Sequence, residues 1–269
     1  MASSLRGMSQ FPSPRHTTVA PAFTELDLFG TLAGGSELSM EVVSELEERG
    51  FAVVPAAFPP NRMERITRAY AVAEATETGD DLRIGSTSTK VKDFVNRGAE
   101  FDDLYIYPPL LEACCRVIGR PFKLSSLQSR TLRSGACAQE LHVDVSRRDS
   151  ADWPLLGFIL MVDDFLPDNG ATRFVPGSHR WPGLPEDTIS DLRAEHEREV
   201  LACGKAGSLL IFNGSAWHGH TANVSKGPRR SLQGAYIPRH GCAGTNFAAR
   251  MQPETRARLC SLAQYVLAL

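Results

Sequence analysis

The chain has 269 residues, of which 42% are hydrophobic and 22% charged, with a formal net charge of -2. That suits one large domain able to bury a core without disulfide staples, and it excludes a general nucleic-acid binder, which needs a strongly basic face. The longest apolar runs fall far short of a membrane span, and the first twenty residues lack an apolar signal core.

In chain order, residues 1–22 are rich in Ser, Pro and Thr and are expected to form a flexible leader, leaving 23–269 as a single domain. "MEVVSELEERG" at 40–50 places Met40, Val43 and Leu46 at helical spacing, with Gly50 as the stop. "FAVVPAAF" reads as a strand. "PPNRMERITRAYAVAEA" reads as a helix with Asn61 as N-cap. Residues 77–100 are polar and glycine-rich and are expected to form a long working loop, with the stretch Ser86–Lys92 available to cover a site. "PPLLEACCRVIG" is a short helix ended by Gly119.

After residue 120 short β-favouring segments alternate with turns: "KLSSLQSRTLRSG", "QELHVDVS", "LGFILMVDDFL", "ATRFVPGSH", "GSLLIFNGSAW" and "RRSLQGAYI". Pro167–Gly170 predicts a hairpin between two of them. "LPEDTISDLRAEHEREV" is a polar, part-helical excursion. The last segment, "PETRARLCSLAQYVLAL", is an amphipathic helix with Leu259, Leu262 and Val266 on its apolar side. Many short antiparallel strands in one domain predict a mainly β sandwich or jelly roll with helices packed outside. The six cysteines, with no CxxC pair, read as free thiols in a reducing cytoplasm.

"LHVDVSRRD" at 141–149 holds the first chemical signal. On a strand His142 and Asp144 face the same way, roughly 6.6 Å apart, and imidazole with carboxylate suits Fe(II) in a two-histidine, one-carboxylate triad. The same pair also fits an exposed edge strand. A third ligand must come from elsewhere, and "AWHGHTANVS" offers His218 and His220, with His179 in "VPGSH" competing. Arg229 in "GPRRSL" follows His218 by eleven residues. One hairpin between them would set both at the same end of neighbouring strands, where a guanidinium can grip a carboxylate.

Four segments in this order, "QELHVD", "DNGATRFVPGSH", "GSLLIFNGSAWHG" and "ANVSKGPRRSL" leading to Tyr236, resemble the phytanoyl-CoA dioxygenase superfamily of iron- and 2-oxoglutarate-dependent oxygenases, over roughly residues 45–240. The resemblance implies a double-stranded β-helix (a jelly roll, cupin-like) with its core at about 120–240 and flanking N- and C-terminal helices. It implies His142, Asp144 and His218 as ligands of Fe(II), with Arg229 on the far carboxylate of 2-oxoglutarate. Gln139, Thr172 and Ser231 match polar positions that help hold that co-substrate, and O2 is the oxidant. The family places its arginine eleven residues after the distal histidine, so His218 is the ligand and His220 falls on the substrate side, with Arg147 and Trp153 as further substrate-side candidates.

The activity implied is hydroxylation of an unactivated C–H of a small molecule, with release of succinate and CO2. Desaturation, cyclisation or epimerisation at the same centre is the alternative. Retention of Asp144 points away from halogenation, which needs that position emptied. Rival readings are a cupin-like metalloenzyme without an oxo acid and a non-catalytic jelly-roll binding module. The expected protein is a cytoplasmic monomer or homodimer, with no nucleic-acid or membrane partner.

Overall fold

The computed structural model describes residues 25–145 and 154–269. The expected leader at 1–22 and the candidates Arg147 and Trp153 lie outside the described residues. The N-terminal half opens with four helices, α1 (Glu25–Ala33), α2 (Met40–Arg49), α3 (Pro60–Thr76) and α4 (Pro108–Ile118). Helix α2 starts where the Ser39 hydroxyl accepts the Val42 N–H, and it stops at Gly50, whose φ of 84° is open to a residue without Cβ. Its buried face is Val42 and Leu46; Met40, expected to face inward, is 86% exposed. Helix α3 is capped by Pro59, and Asn61 sits inside its first turn rather than at the cap. Prolines fit there because the first N–H groups of a helix have no internal partner.

Among the described residues, ten strands form two sheets. The large one is β1 (Phe51–Val54), β8 (Leu209–Asn213), β5 (Leu156–Met161), β10 (Arg229–Pro238), β4 (Phe122–Leu132), β3 (Ser88–Val91) and β2 (Leu82–Ile84), in that order. The small one is β7 (Val200–Ala202), β6 (Thr172–Phe174) and β9 (His218–His220). All pairings are antiparallel. The two sheets make a double-stranded β-helix flanked by helices, as expected.

Strand periodicity builds the two cores. On β5, Leu156, Phe158 and Leu160 join the cluster under helices α2–α4, whereas Ile159 and Met161 join the cluster between the sheets. Strand β8 alternates in the same way: Leu209 and Ile211 face the helices, Leu210 and Phe212 the inter-sheet space. Strands covered on both faces read as continuous apolar runs, which is why "LGFILM" shows no alternation. On β4 the register shifts opposite Ala235/Tyr236, so Ser125 is the extra residue. That bulge resets the alternation: Leu124 and Leu127 both reach the helical core, and Ser126, Gln128 and Arg130 all face a central cavity.

Several expectations need correction. Residues 77–100 are not a long loop: β2 and β3 pair with each other and extend the large sheet beyond β4. Pro167–Gly170 does turn the chain, with Gly170 at φ 83°, but β5 and β6 enter different sheets and form no hairpin. The strand expected over 139–146 reduces, over its described residues, to one bridge at His142, because the Leu141 N–H goes to Leu192 O and the Asp144 N–H to Gly214 O. Likewise β9 and β10 belong to opposite sheets, so no hairpin joins His218 to Arg229.

The polar excursion between β6 and β7 carries the short α5 (Pro185–Thr188), and the C-terminal helix is broken into α7 (Pro253–Arg258) and α8 (Ser261–Val266), preceded by the short α6 (Phe247–Arg250). Leu259 and Val266 pack into the helical core. All six cysteines are free thiols, as expected. Among the described residues, no helix is long and apolar enough to cross a membrane.

Candidate metal centre

The two histidines are brought together by backbone. His142 and His218 face each other as a hydrogen-bonded antiparallel pair, each N–H 2.9 Å from the other's carbonyl oxygen, and their rings lie 4.4 Å apart. Close approach here depends on Gly219, where a Cβ would sit 3.1 Å from both Gln139 O and Glu140 O. Arg173, on β6 and 1% exposed, fastens the same segment from behind. It donates to Gln139 O and Leu192 O at 2.8 Å, to Ala194 O at 2.7 Å and to the Glu199 carboxylate at 3.0 Å.

Ring orientation follows from the outer hydrogen bonds. Nδ1 of His142 lies 2.9 Å from Glu140 O and Nδ1 of His218 lies 2.9 Å from Ala216 O. A carbonyl oxygen only accepts, so each Nδ1 carries the proton and each Nε2 keeps its lone pair. Both Nε2 atoms then lie 3.7 Å from the same Oδ1 of Asp144. One ligand atom from each of His142, Asp144 and His218 falls within 4.8 Å of the others. Two imidazole nitrogens and a carboxylate oxygen on one side of a shared point are the donor set that suits ferrous iron with positions left open. The His142 imidazole is held below its ordinary pKa, first by burial and then by His218, so it stays the neutral ligand a metal requires. The ring of His218 is walled by Phe174 and Phe212, with centroids at 5.5 and 4.8 Å.

His220 lies two residues on, buried, with Nδ1 2.9 Å from Thr221 O. Burial, with Arg130 adding to it, takes its imidazole down to about 3. It lines the cavity but stands outside the three-residue cluster. His179 is elsewhere, with Nε2 at 3.1 Å from Glu47 O.

The cavity beside the cluster has a volume of about 350 Å³, and Gln139, Thr172 and Arg229 line it. Arg229 is 1% exposed. Its Nη2 donates to Gly170 O at 2.8 Å, its Nη1 to Ser231 Oγ at 3.4 Å, and its guanidinium carbon stands 4.1 Å over the Phe165 ring. Its Nε has no partner, and among the described residues no carboxylate pairs with it. Burial, then Arg130, pulls the group down to about 9. A buried guanidinium without a counter-ion is costly, and a carboxylate in the cavity would relieve it. Ser231 itself does not line the cavity; its hydroxyl sits between Arg229 and Arg130 O. Gln139 places Nε2 3.4 Å from His142 Nε2 and accepts from Arg130 at 3.3 Å. Sequence reasoning missed Arg130, Lys90 and Arg173.

The family profile of phytanoyl-CoA dioxygenase (PhyH) matches residues 46–231. The chain belongs to the phytanoyl-CoA dioxygenase family. Membership and the His/Asp/His cluster together make this family member an Fe(II)- and 2-oxoglutarate-dependent oxygenase, and the convergent triad and the buried Arg229, unpaired at Nε, fit both groups. Dioxygenase af480 of Aspergillus fumigatus is 25% identical over 246 residues, covering 86% of this chain and 78% of that protein. The crystal structure of HygX from Streptomyces hygroscopicus with nickel and 2-oxoglutarate bound superposes with a TM-score of 0.64 at 17% identity, covering 76% of this chain and 88% of that one. The non-heme alpha ketoglutarate dependent carbocyclase SnoK from nogalamycin biosynthesis gives a TM-score of 0.60 at 17% identity, with 81% and 92% covered. At such identities the superpositions show the shared fold.

Proposed function

We propose that this phytanoyl-CoA dioxygenase family member tailors a small molecule oxidatively, with 2-oxoglutarate consumed to succinate and CO2 and O2 as the oxidant. Hydroxylation, desaturation, cyclisation and epimerisation share one opening event, removal of a hydrogen atom from an unactivated C–H, and the pose of the substrate decides among them. The breadth is supported by the fold's reach, since the similar SnoK is a carbocyclase. The observation that carries the reading is the convergence of two Nε2 lone pairs on Asp144 Oδ1, beside a buried guanidinium that no carboxylate of the described residues satisfies.

In this reading His142, Asp144 and His218 hold the iron. The chemistry it supplies when bound is activation of O2 coupled to decarboxylation of the co-substrate. Arg229 takes the far carboxylate of 2-oxoglutarate and so fixes one pose of the oxo acid. Ser231 holds the Arg229 fork in register. Gln139 and Thr172 present polar groups to the oxo acid, and Thr172 is set by its pairing opposite His220 on β9. His220, neutral, faces the substrate side. Phe174 and Phe212 keep water from the ring of His218.

The test is a screen of candidate small molecules for stimulated succinate release, followed by product mass. Gain of one oxygen identifies hydroxylation; loss of two hydrogens identifies desaturation or cyclisation; unchanged mass with inverted configuration identifies epimerisation. Succinate release that no compound stimulates, with no 2-oxoglutarate bound, would leave the reading without support.

A further inference from the structure

Part of the stretch 86–92, expected to cover a site, walls a second cavity. This outer space of about 780 Å³ adjoins the metal centre, and Gln139, His142 and His220 line both it and the inner cavity. One wall is the turn at 85–88 between β2 and β3, closed by the Gly85 N–H on Ser88 O at 2.9 Å. Arg133, which does not line the cavity, fixes that turn. Its backbone N–H donates to Thr87 O at 3.0 Å, and its guanidinium to Gly85 O at 2.9 Å and to Thr89 Oγ1 at 3.2 Å. The wall is therefore preformed, which lowers the ordering cost of binding there.

The chemistry of the outer space differs from that of the inner one. The inner cavity sets Leu155, Phe158, Ile159 and Phe212 beside the metal ligands. Among the described residues lining the outer cavity, and apart from Cys137, no apolar side chain exceeds the methyl groups of Ala136 and Ala138. Ser86, Thr87, Ser88 and Arg83 line it instead, with Glu140, whose carboxylate meets Arg193 at 2.9 Å. Ser88 is 7% exposed, and its hydroxyl has no partner among the described residues. A buried hydroxyl is ordinarily hydrogen-bonded, and an alkyl chain laid over it would exclude water without replacing the bond. Arg83 and the Arg193–Glu140 pair are exposed, so solvent screens their charge and they discriminate weakly between anions and neutral groups. Lys90 and Arg130 stand on the boundary of the two cavities, where the negative charge of 2-oxoglutarate would engage them.

Resting on the function proposed above, we infer that the substrate carries a neutral, hydroxyl-rich moiety of the sugar or polyol class, which lies in the outer cavity against Ser88 and Thr87 while the attacked carbon enters the inner cavity beside Leu155 and Phe212. A hydroxyl both donates and accepts, so it matches hydroxyl, carboxylate and guanidinium partners alike. An alkyl or polycyclic hydrocarbon surface would satisfy none of them. The two spaces are close in the chain as well: Glu140 lines the outer cavity, and its carbonyl oxygen lies 2.9 Å from Nδ1 of His142. The attacked C–H therefore lies within the hydroxyl-rich moiety or next to it.

The test loads the protein with Mn(II) and 2-oxoglutarate under argon and titrates hexyl β-glucoside, hexanol and hexyl phosphate by calorimetry. The glucoside is expected to bind at least about tenfold more tightly than either of the others. Cys137, exposed and on the wall of the outer cavity, gives a second readout. Bound glucoside is expected to slow its alkylation by iodoacetamide severalfold, read by peptide mass, and to leave the other exposed thiols, Cys203, Cys242 and Cys260, unchanged. Ser88→Val is expected to cut the glucoside's advantage to below about threefold without weakening hexanol. Thr87→Val, at a less buried site, is read in the same way and serves if Ser88→Val does not fold. A glucoside that binds no more tightly than hexanol, or that leaves Cys137 unprotected, overturns the inference; 2-oxoglutarate uptake, titrated separately, then leaves the proposed function standing. Hexyl phosphate bound more tightly than the glucoside also overturns it, because the outer cavity would then select an anion. A wild type that takes up no 2-oxoglutarate yet prefers the glucoside and shields Cys137 overturns the proposed function and keeps this inference.

Discussion

Arg229 offers a perturbation whose sign is unusual. Its guanidinium is 1% exposed and unpaired at Nε, and burial takes it down to about 9. A depression of that size corresponds to roughly 5 kcal/mol against the charged form. The bond to Gly170 O and the Phe165 ring at 4.1 Å return part of this, on the order of 1–3 kcal/mol for a charged hydrogen bond and up to about 2 for the ring. Arg229→Met keeps the volume and removes the charge. The ligand-free protein is therefore expected to gain about 1–2 kcal/mol, or roughly 2–6 °C in Tm for a chain of this size.

The ligand response should move the opposite way. At about 100 times its Kd, 2-oxoglutarate stabilises the wild type by about 2.7 kcal/mol. Losing the guanidinium should weaken that binding roughly 100-fold, so most of the increment disappears in Arg229→Met. The pH dependence has a defined sign. A cation whose folded value lies below its unfolded one carries the full burial cost at pH below about 9 and sheds it as pH rises beyond that. Ligand-free wild type should thus gain stability relative to Arg229→Met between pH 8 and roughly 10. Thermal denaturation of metal-loaded protein, with and without 2-oxoglutarate, reads all three effects. A destabilised ligand-free variant that keeps its 2-oxoglutarate increment would refute the reasoning.

Three further outcomes are expected. His218→Ala should abolish tight metal uptake while His220→Ala keeps it, as measured by calorimetric titration with Mn(II); the reverse order would move the ligand to His220. Arg173→Met should cost about 3–5 kcal/mol by stranding Glu199 and freeing Gln139 O and Leu192 O, a fall in Tm of roughly 10 °C, and should weaken metal binding without touching the cavity. Gly157→Ala should cost about 1–3 kcal/mol and weaken metal uptake, because the new Cβ drives into the Phe212 ring that supports His218. Unchanged metal affinity in either of these last two variants would show that the ligand geometry does not depend on those supports.

The helices and central strands were legible because their signals are local. Ser39 and Gly50 bound α2, and the apolar runs of β5 and β8 could only be strands covered on both faces. The cluster was legible because two of its members lie in one HxD step and the family resemblance singled out the third by its eleven-residue interval to Arg229. Assignment of strands to sheets was not. Asn-Gly chemistry at 169–170 specifies a turn but not which sheet the chain enters next, and β5 and β6 part there. The edge strand β2 and its neighbour β3 were hidden by polar composition, since strands at the margin of a sheet bury little apolar surface. Arg130 was overlooked although "SLQSRTL" carries its signal: Ser126, Gln128 and Arg130 alternate with residues that face the core. Arg173 left no such trace, because its four acceptors are distant in sequence and three are backbone carbonyls.

The most direct measurement of the central claim is the anaerobic difference absorption of protein reconstituted with Fe(II) and then given 2-oxoglutarate. Chelation of the oxo acid at an iron held by His142, Asp144 and His218 should give a weak visible charge-transfer band, saturating at one equivalent per chain and absent from His218→Ala. A wild-type protein that takes up iron yet develops no band on saturation with 2-oxoglutarate, or one whose band survives in His218→Ala, would contradict the account.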